Sequence, residues 1–245
     1  MNGRILRATV FRILRQLAHD PRSIAMMLVL PIVLMTLLYY MFDARQPLVS
    51  DVLLVMLGLF PFIVMFLITS VAMLRERTSG TLERLMTTPV GKADLLFGYG
   101  LAFGIAATVQ GVVAAAFAYW LLGVDTPGAA GLTVLISVGG GALGVSMGLV
   151  SSAFARTEFQ AVQMFPVVVI PQALLCGLFV ARDDMATWLR LLSDVMPLSY
   201  VVDALQQIGA QSAVTGTWWR DVGIIAGSVL LALGLAAATL RRRTD

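Results

Sequence analysis

The 245-residue chain is 59% hydrophobic and only 13% charged, with a mean hydropathy of +0.89, whereas soluble domains run near 45–50% apolar and about 25% charged. That balance excludes a soluble globular domain. The net charge of +3 comes from basic residues gathered on one side of apolar blocks, which suits an anionic inner leaflet and leaves a nucleic-acid partner without support.

Residues 1–22 read as an interfacial helix. At 100° per residue Leu6, Val10, Ile13, Leu14 and Leu17 share one arc and Arg4, Arg7, Arg12 and Arg15 another, with Ile5 and Phe11 out of pattern. Asp20-Pro21 ends that helix. Six apolar blocks follow at 23–42, 52–74, 95–122, 132–154, 161–180 and 222–240, and every charged residue lies outside them. About 20 residues at 1.5 Å rise cross a hydrocarbon core of roughly 30 Å, so each block is long enough to span. Ser23–Phe42 is too long for the core of a signal peptide and no Ala-x-Ala follows it. The first block is therefore a retained helix.

The basic residues assign sidedness. Arg4, Arg7, Arg12, Arg15, Arg22, Arg75, Arg77, Arg84, Lys92, Arg156, Arg241, Arg242 and Arg243 fall on one side, 13 in all, against 4 (Arg45, Arg182, Arg190, Arg220) on the other. The positive-inside rule then places both termini in the cytoplasm. The outer segment 181–221 carries two helical stripes separated by Pro197: Trp188, Leu191, Leu192, Val195 and Met196, then Leu198, Val201, Val202, Leu205 and Ile208. Two short helices at, or dipping into, the outer interface are expected.

Several chemistries lack their residues. No ionisable group lies within a block, which weakens a proton- or ion-coupled carrier, although carbonyls at broken helices could still hold sodium. Gly144-Val-Ser-Met-Gly148 matches G-x-S-x-G, yet the one histidine, His19, is outside the blocks. Gly140, Gly144 and Gly148, with Ser152, instead form a small-residue stripe for close helix packing, and Gly100/Gly104 and Gly223/Gly227 suggest the same on spans three and six. No phosphate loop of the form G-x-x-x-x-G-K-[ST] occurs, and the single cysteine, Cys176, excludes an intrachain disulfide and gives no metal cluster.

The loop 75–94 is the most informative stretch. Ser79 can cap a short helix starting near Gly80, Thr87-Thr88-Pro89 ends it, and Leu82, Leu85 and Met86 make an apolar face with Glu83 and Arg84 beside it. A helix set into a partner's groove is one solution, and a capped loop lying on the membrane is the other.

At this point the sequence resembles a known family, the permease subunits of ABC-2 type transporters, most closely the drug and antibiotic export branch that includes daunorubicin-resistance permeases. The specific matches are Glu76-Arg-Thr-Ser-Gly-Thr-Leu-Glu-Arg-Leu-Met-Thr-Thr-Pro89 and Pro197-Leu-Ser-Tyr-Val-Val-Asp-Ala-Leu205. The basic N-terminus with Asp20-Pro21-Arg22 and the prolines of span five also fit.

The resemblance implies an all-α integral membrane protein with six transmembrane helices, an N-terminal interfacial helix and short outer re-entrant or interfacial helices between spans five and six. It also implies a multi-pass half-transporter of a bacterial inner membrane that pairs with a second half, as homodimer or heterodimer. ATP and magnesium would sit on a separate ATP-binding cassette subunit, with no cofactor on this chain. Glu76, Gly80, Thr81, Leu82, Glu83, Leu85, Met86 and Pro89 would couple the two chains. Spans two and five would line the export path, nominating Phe60, Phe62, Met65 and Phe66 with Met164, Phe165, Leu174 and Leu175. Pro31, Pro61, Pro166 and Pro171 would supply bending points. A path without charge favours a hydrophobic or amphiphilic cargo. The readings from other classes are a channel or ion-coupled carrier without an ATPase, and a membrane anchor or scaffold.

Overall fold

The structure is a computed structural model that describes residues 3–42, 48–79 and 92–239. Among these residues the regular structure is helical, with one 3-10 turn at Arg182–Asp184 and no strand. In chain order the helices are α1 (Gly3–Ala18), α2 (Pro21–Met41), α3 (Leu48–Thr78), α4 (Lys92–Trp120), α5 (Ala130–Ser151), α6 (Glu158–Leu175), α7 (Thr187–Val195), α8 (Pro197–Ala210) and α9 (Gly216–Thr239). Six of them, α2, α3, α4, α5, α6 and α9, are long and apolar enough to cross a membrane.

Local chemistry explains most boundaries. Asp20 caps α2 by accepting from the Ser23 amide (3.2 Å) and hydroxyl (2.7 Å), with Pro21 in the first helical turn. Those bonds favour the ionised form and hold the Asp20 carboxyl below its usual range. Helix α3 runs for 31 residues, about 46 Å, and so projects well beyond a roughly 30 Å hydrocarbon core. Its last turn therefore contains Arg75, Glu76 and Arg77, which the sequence reading placed in a loop. Helix α6 is shorter than its apolar block, because Gly177 adopts a left-handed conformation (φ +93°) two residues past Leu175 and turns the chain. Helix α9 starts earlier than its block and carries Arg220 and Asp221 in its first turns.

The bundle is organised around α5, which packs on α3, α4, α8 and α9. Gly140, Gly144 and Gly148 lie against the α3 backbone, and a Cβ added at Gly144 would sit 2.2 Å from the Phe62 carbonyl oxygen. The corresponding distances are 2.8 Å from Gly140 to the Gly58 oxygen and 2.6 Å from Gly148 to the Phe66 oxygen. Ser137 donates across the same interface to the Leu57 carbonyl at 2.6 Å. Ser146, the serine of the G-x-S-x-G match, is fully buried and donates to the Leu143 carbonyl of its own helix. The stripes proposed for spans three and six behave differently: added Cβ atoms at Gly104, Gly223 and Gly227 meet nothing within 4 Å, and one at Gly100 only touches Leu233. Their spacing serves no close contact among the described residues of this chain.

The two outer stripes also diverge. On α7, Trp188, Leu191, Leu192 and Val195 are exposed, as an interfacial helix requires. On α8, Leu198, Val201, Val202, Leu205 and Ile208 are buried against α3, α5 and α9, so this helix enters the bundle instead of lying on it. Its Leu205 and Val201 press so closely on Gly58 that a Cβ there would fall 2.7 Å from each. Trp120, Trp188 and Trp219 are all exposed, in the part of the bundle where α4 ends and α9 begins.

Candidate functional site

At the opposite end, α1 lies across α4 closely enough that a Cβ on Gly98 would meet Thr9 at 2.6 Å. Val10 and Ile13 bury the apolar arc of α1, while Arg4, Arg7 and Arg15 face outward. Arg12, at the edge of the two arcs, turns inward. Its Nη1 donates to Glu76 Oε1 at 2.8 Å and its Nη2 to the Tyr99 hydroxyl at 3.2 Å. Glu76 and Tyr99 are both buried, so one guanidinium joins α1, the last turn of α3 and the first turns of α4. A charge buried at Glu76 needs that partner.

The neighbouring residues extend the joint. Arg75 forms a bidentate pair with Glu158 at the start of α6, at 2.8 and 2.9 Å. That pair is half exposed and contributes little to stability by itself. Glu76 Oε2 and the Nε and Nη2 of Arg77 are buried and find no hydrogen-bond partner among the described residues. Two consecutive residues at the base of α3, Arg75 and Glu76, thus reach α6 and α1, and through Arg12 also α4. The sequence reading identified Glu76 but missed Arg12 and Tyr99. The available signal was a basic residue at the boundary of an amphipathic arc.

Of the nominated coupling residues, Gly80, Thr81, Leu82, Glu83, Leu85, Met86 and Pro89 lie outside the described residues. Only Glu76 can be placed, and it sits in a helix. The span-two pathway candidates are core residues in this chain: Phe62, Met65 and Phe66 are fully enclosed and Phe60 nearly so. The reason is the glycine stripe, which draws the α3 backbone against α5 at Phe62 and Phe66 and closes off that face. On α6, Met164 and Phe165 are partly buried against the same core, Leu175 is intermediate and Leu174 is exposed. The structure therefore does not bring the two sets together around an open space. Pro31, Pro61, Pro166 and Pro171 all fall inside helices. Among the described residues no group of His, Cys, Asp and Glu could hold a metal.

The family model for the ABC-2 type transporter matches residues 5–209. The probable multidrug ABC transporter permease YbhR of Escherichia coli (strain K12) is 28% identical over 156 residues, 64% of this chain and 42% of that protein. The linearmycin resistance permease protein LnrN of Bacillus subtilis (strain 168) is 26% identical over 140 residues, covering 57% and 36%. ABC transporter G family member 20 of Dictyostelium discoideum is 28% identical over 141 residues, covering 58% and 19%. The chain spans less than half the length of these curated relatives. With most of its length matched by the family model and six helices fit to cross a membrane, the chain belongs to the ABC-2 type transporter family.

Proposed function

We propose that this chain forms half of the transmembrane pathway of an ATP-driven exporter for a hydrophobic or amphiphilic compound. It pairs with a second permease half and takes its driving force from a separate ATP-binding cassette subunit, which carries ATP and magnesium. Relatives bearing multidrug and linearmycin resistance permease names support the cargo class. The asymmetry of 13 basic residues against 4 supports cytoplasmic termini in a bacterial inner membrane.

The observation that carries the reading is the joint at the base of α3. Glu76 opens the stretch that resembles the family's coupling segment, and its helical turn is tied to α1 and α4 through Arg12 and to α6 through Arg75. A displacement of residues 80–91 by a docked ATPase is thereby passed to spans two, three and five together.

The test is ATP-dependent uptake of a hydrophobic dye into inverted vesicles holding this chain with the cassette ATPase that co-purifies with it. Uptake that needs both proteins and stops with a non-hydrolysable nucleotide supports the proposal. Uptake by this chain alone, insensitive to ATP, would favour the channel or carrier reading.

A further inference from the structure

The segment after α6 folds back on itself. Beyond Leu175 the chain turns at Gly177, and the Arg182 side chain returns over that glycine, its Cγ 3.5 Å from where a Cβ would stand. The guanidinium then forks: Nη1 donates to Asp203 on α8 and Nη2 to Asp194 on α7. It also lies 5.3 Å from the Tyr200 ring centroid, and the Tyr200 hydroxyl donates to the Asp194 carbonyl at 2.7 Å. Beside it, Ser193 Oγ donates to the Leu175 carbonyl at 2.7 Å and faces Ser199 Oγ at 3.0 Å. Cys176, in the turn between Leu175 and Gly177, is fully buried in the main apolar core and lies close enough to feel the charges of Arg182 and Asp203.

A cleft of about 840 Å³ opens on the far side of the same fork, lined by Arg182, Asp194, Asp203, Gln207, Arg220 and Asp221. It gives water and protons direct access to the Arg182–Asp203 pair. We propose that Arg182 is a positioning residue that latches the outer end of α6 to α7 and α8, and that protonation of Asp203 from this cleft releases the latch.

Two carboxylates share one guanidinium, so the fork carries excess negative charge. The α9 pair of Arg220 and Asp221 sits beside it, where Asp221 accepts from Gln207 at 2.8 Å and from Arg220 at 2.9 Å. Arg190 and Asp183 pair at 2.8 Å on the cleft rim. From α3, Asp51 approaches Gly209, further along α8, and α5 presents no ionisable side chain. Burial, opposed by Arg182 and reinforced by Asp221, pushes the Asp203 carboxyl up to about 6. Above that pH Asp203 is ionised and holds Arg182. Below it the neutral acid tolerates burial without a cation, and Arg182 keeps only the more exposed Asp194. The linkage is reciprocal: because Arg182 favours the ionised acid, protonating the acid weakens the hold on Arg182.

Cys176, the single cysteine of the chain, reports on the latch. The full chain in detergent micelles is labelled with a dipyridyl disulfide at a series of pH values, each rate divided by that of the unfolded chain at the same pH. With a pKa of about 6 the neutral fraction rises roughly thirtyfold between pH 7.5 and pH 5, and the normalised rate should follow. Asp203→Asn should label rapidly at both pH values with no titration, and Arg182→Gln should label rapidly at pH 7.5. Asp183→Asn, on the rim pair, should keep the wild-type profile. A flat wild-type profile, or a midpoint near 6 that persists in Asp203→Asn, overturns the proposal. So does a folded Arg182→Gln chain whose Cys176 is as protected as in the wild type at pH 7.5. If Arg182→Gln fails to fold, the wild-type and Asp203→Asn profiles decide alone.

Discussion

Replacing Gly144 by alanine adds a single methyl group at the closest of the glycine contacts among the described residues. The new Cβ would stand 2.2 Å from the Phe62 carbonyl oxygen, 2.9 Å from its carbon and 3.0 Å from its Cα. All three are backbone atoms of α3, so no side chain can swing aside. Restoring an ordinary contact moves α3 and α5 apart by about 1 Å, and a gap of that size forfeits a quarter to a half of the dispersion well for neighbouring atoms. Overpacking of this kind costs about 1–3 kcal/mol, while the gain from replacing glycine in the unfolded chain is about 0.4–1 kcal/mol. A net loss of about 1–2 kcal/mol is expected, measured as the shift in SDS-induced unfolding of mixed micelles followed by helical circular dichroism. Gly223→Ala makes the same chemical change where nothing lies within 4 Å and should be neutral or slightly stabilising. A Gly144→Ala chain as stable as wild type, or one no worse than Gly223→Ala, would refute the packing argument.

Other consequences follow from the joint and from sidedness. Arg12→Ala leaves Glu76 buried without its cation and should cost roughly 2–4 kcal/mol, whereas the double change Arg12→Met, Glu76→Met should recover most of that. Comparable losses for both in the same unfolding assay would mean the pair is not coupled. Single cysteines at Arg4 and Thr88 in a Cys176→Ser background should be shielded from an impermeant thiol reagent in intact cells, and one at Asp184 should react. External labelling at Thr88 would invert the assigned topology.

The spans were legible because a hydrocarbon core demands uninterrupted apolar runs, and all six candidate helices coincide with blocks visible in the composition. Their ends were not, since helix continuation past the core depends on partners the sequence does not pair. Glu76 stays helical and buried because Arg12, 64 residues earlier, reaches it. Both outer stripes are amphipathic, α7 more sharply and α8 more apolar, but that α8 sinks into the bundle depends on close approaches at Gly58, Gly140 and Gly209 that the stripes do not reveal. The phenylalanines of span two read as pathway residues by resemblance, but the glycine stripe of α5, itself evident in the sequence, covers Phe62 and Phe66. The Arg182 fork escaped notice because opposite charges scattered over residues 182–221 reveal no pairing until α7 and α8 fold back.

The central claim is that residues 76–89 seat an ATPase, and the Leu82→Asp, Leu85→Asp double variant tests it most directly. Burial of each leucine in a partner groove is worth roughly 1.5–3 kcal/mol when complete, so even partial burial of the pair, together with charge forced into the contact, gives a penalty of about 3–5 kcal/mol, more than a hundredfold in affinity. Both residues precede α4 and follow α3, outside every candidate span. The variant should therefore insert and assemble with its second half normally while losing both co-purification of the cassette ATPase and export. Retention of the ATPase at the wild-type level with transport intact would contradict the account.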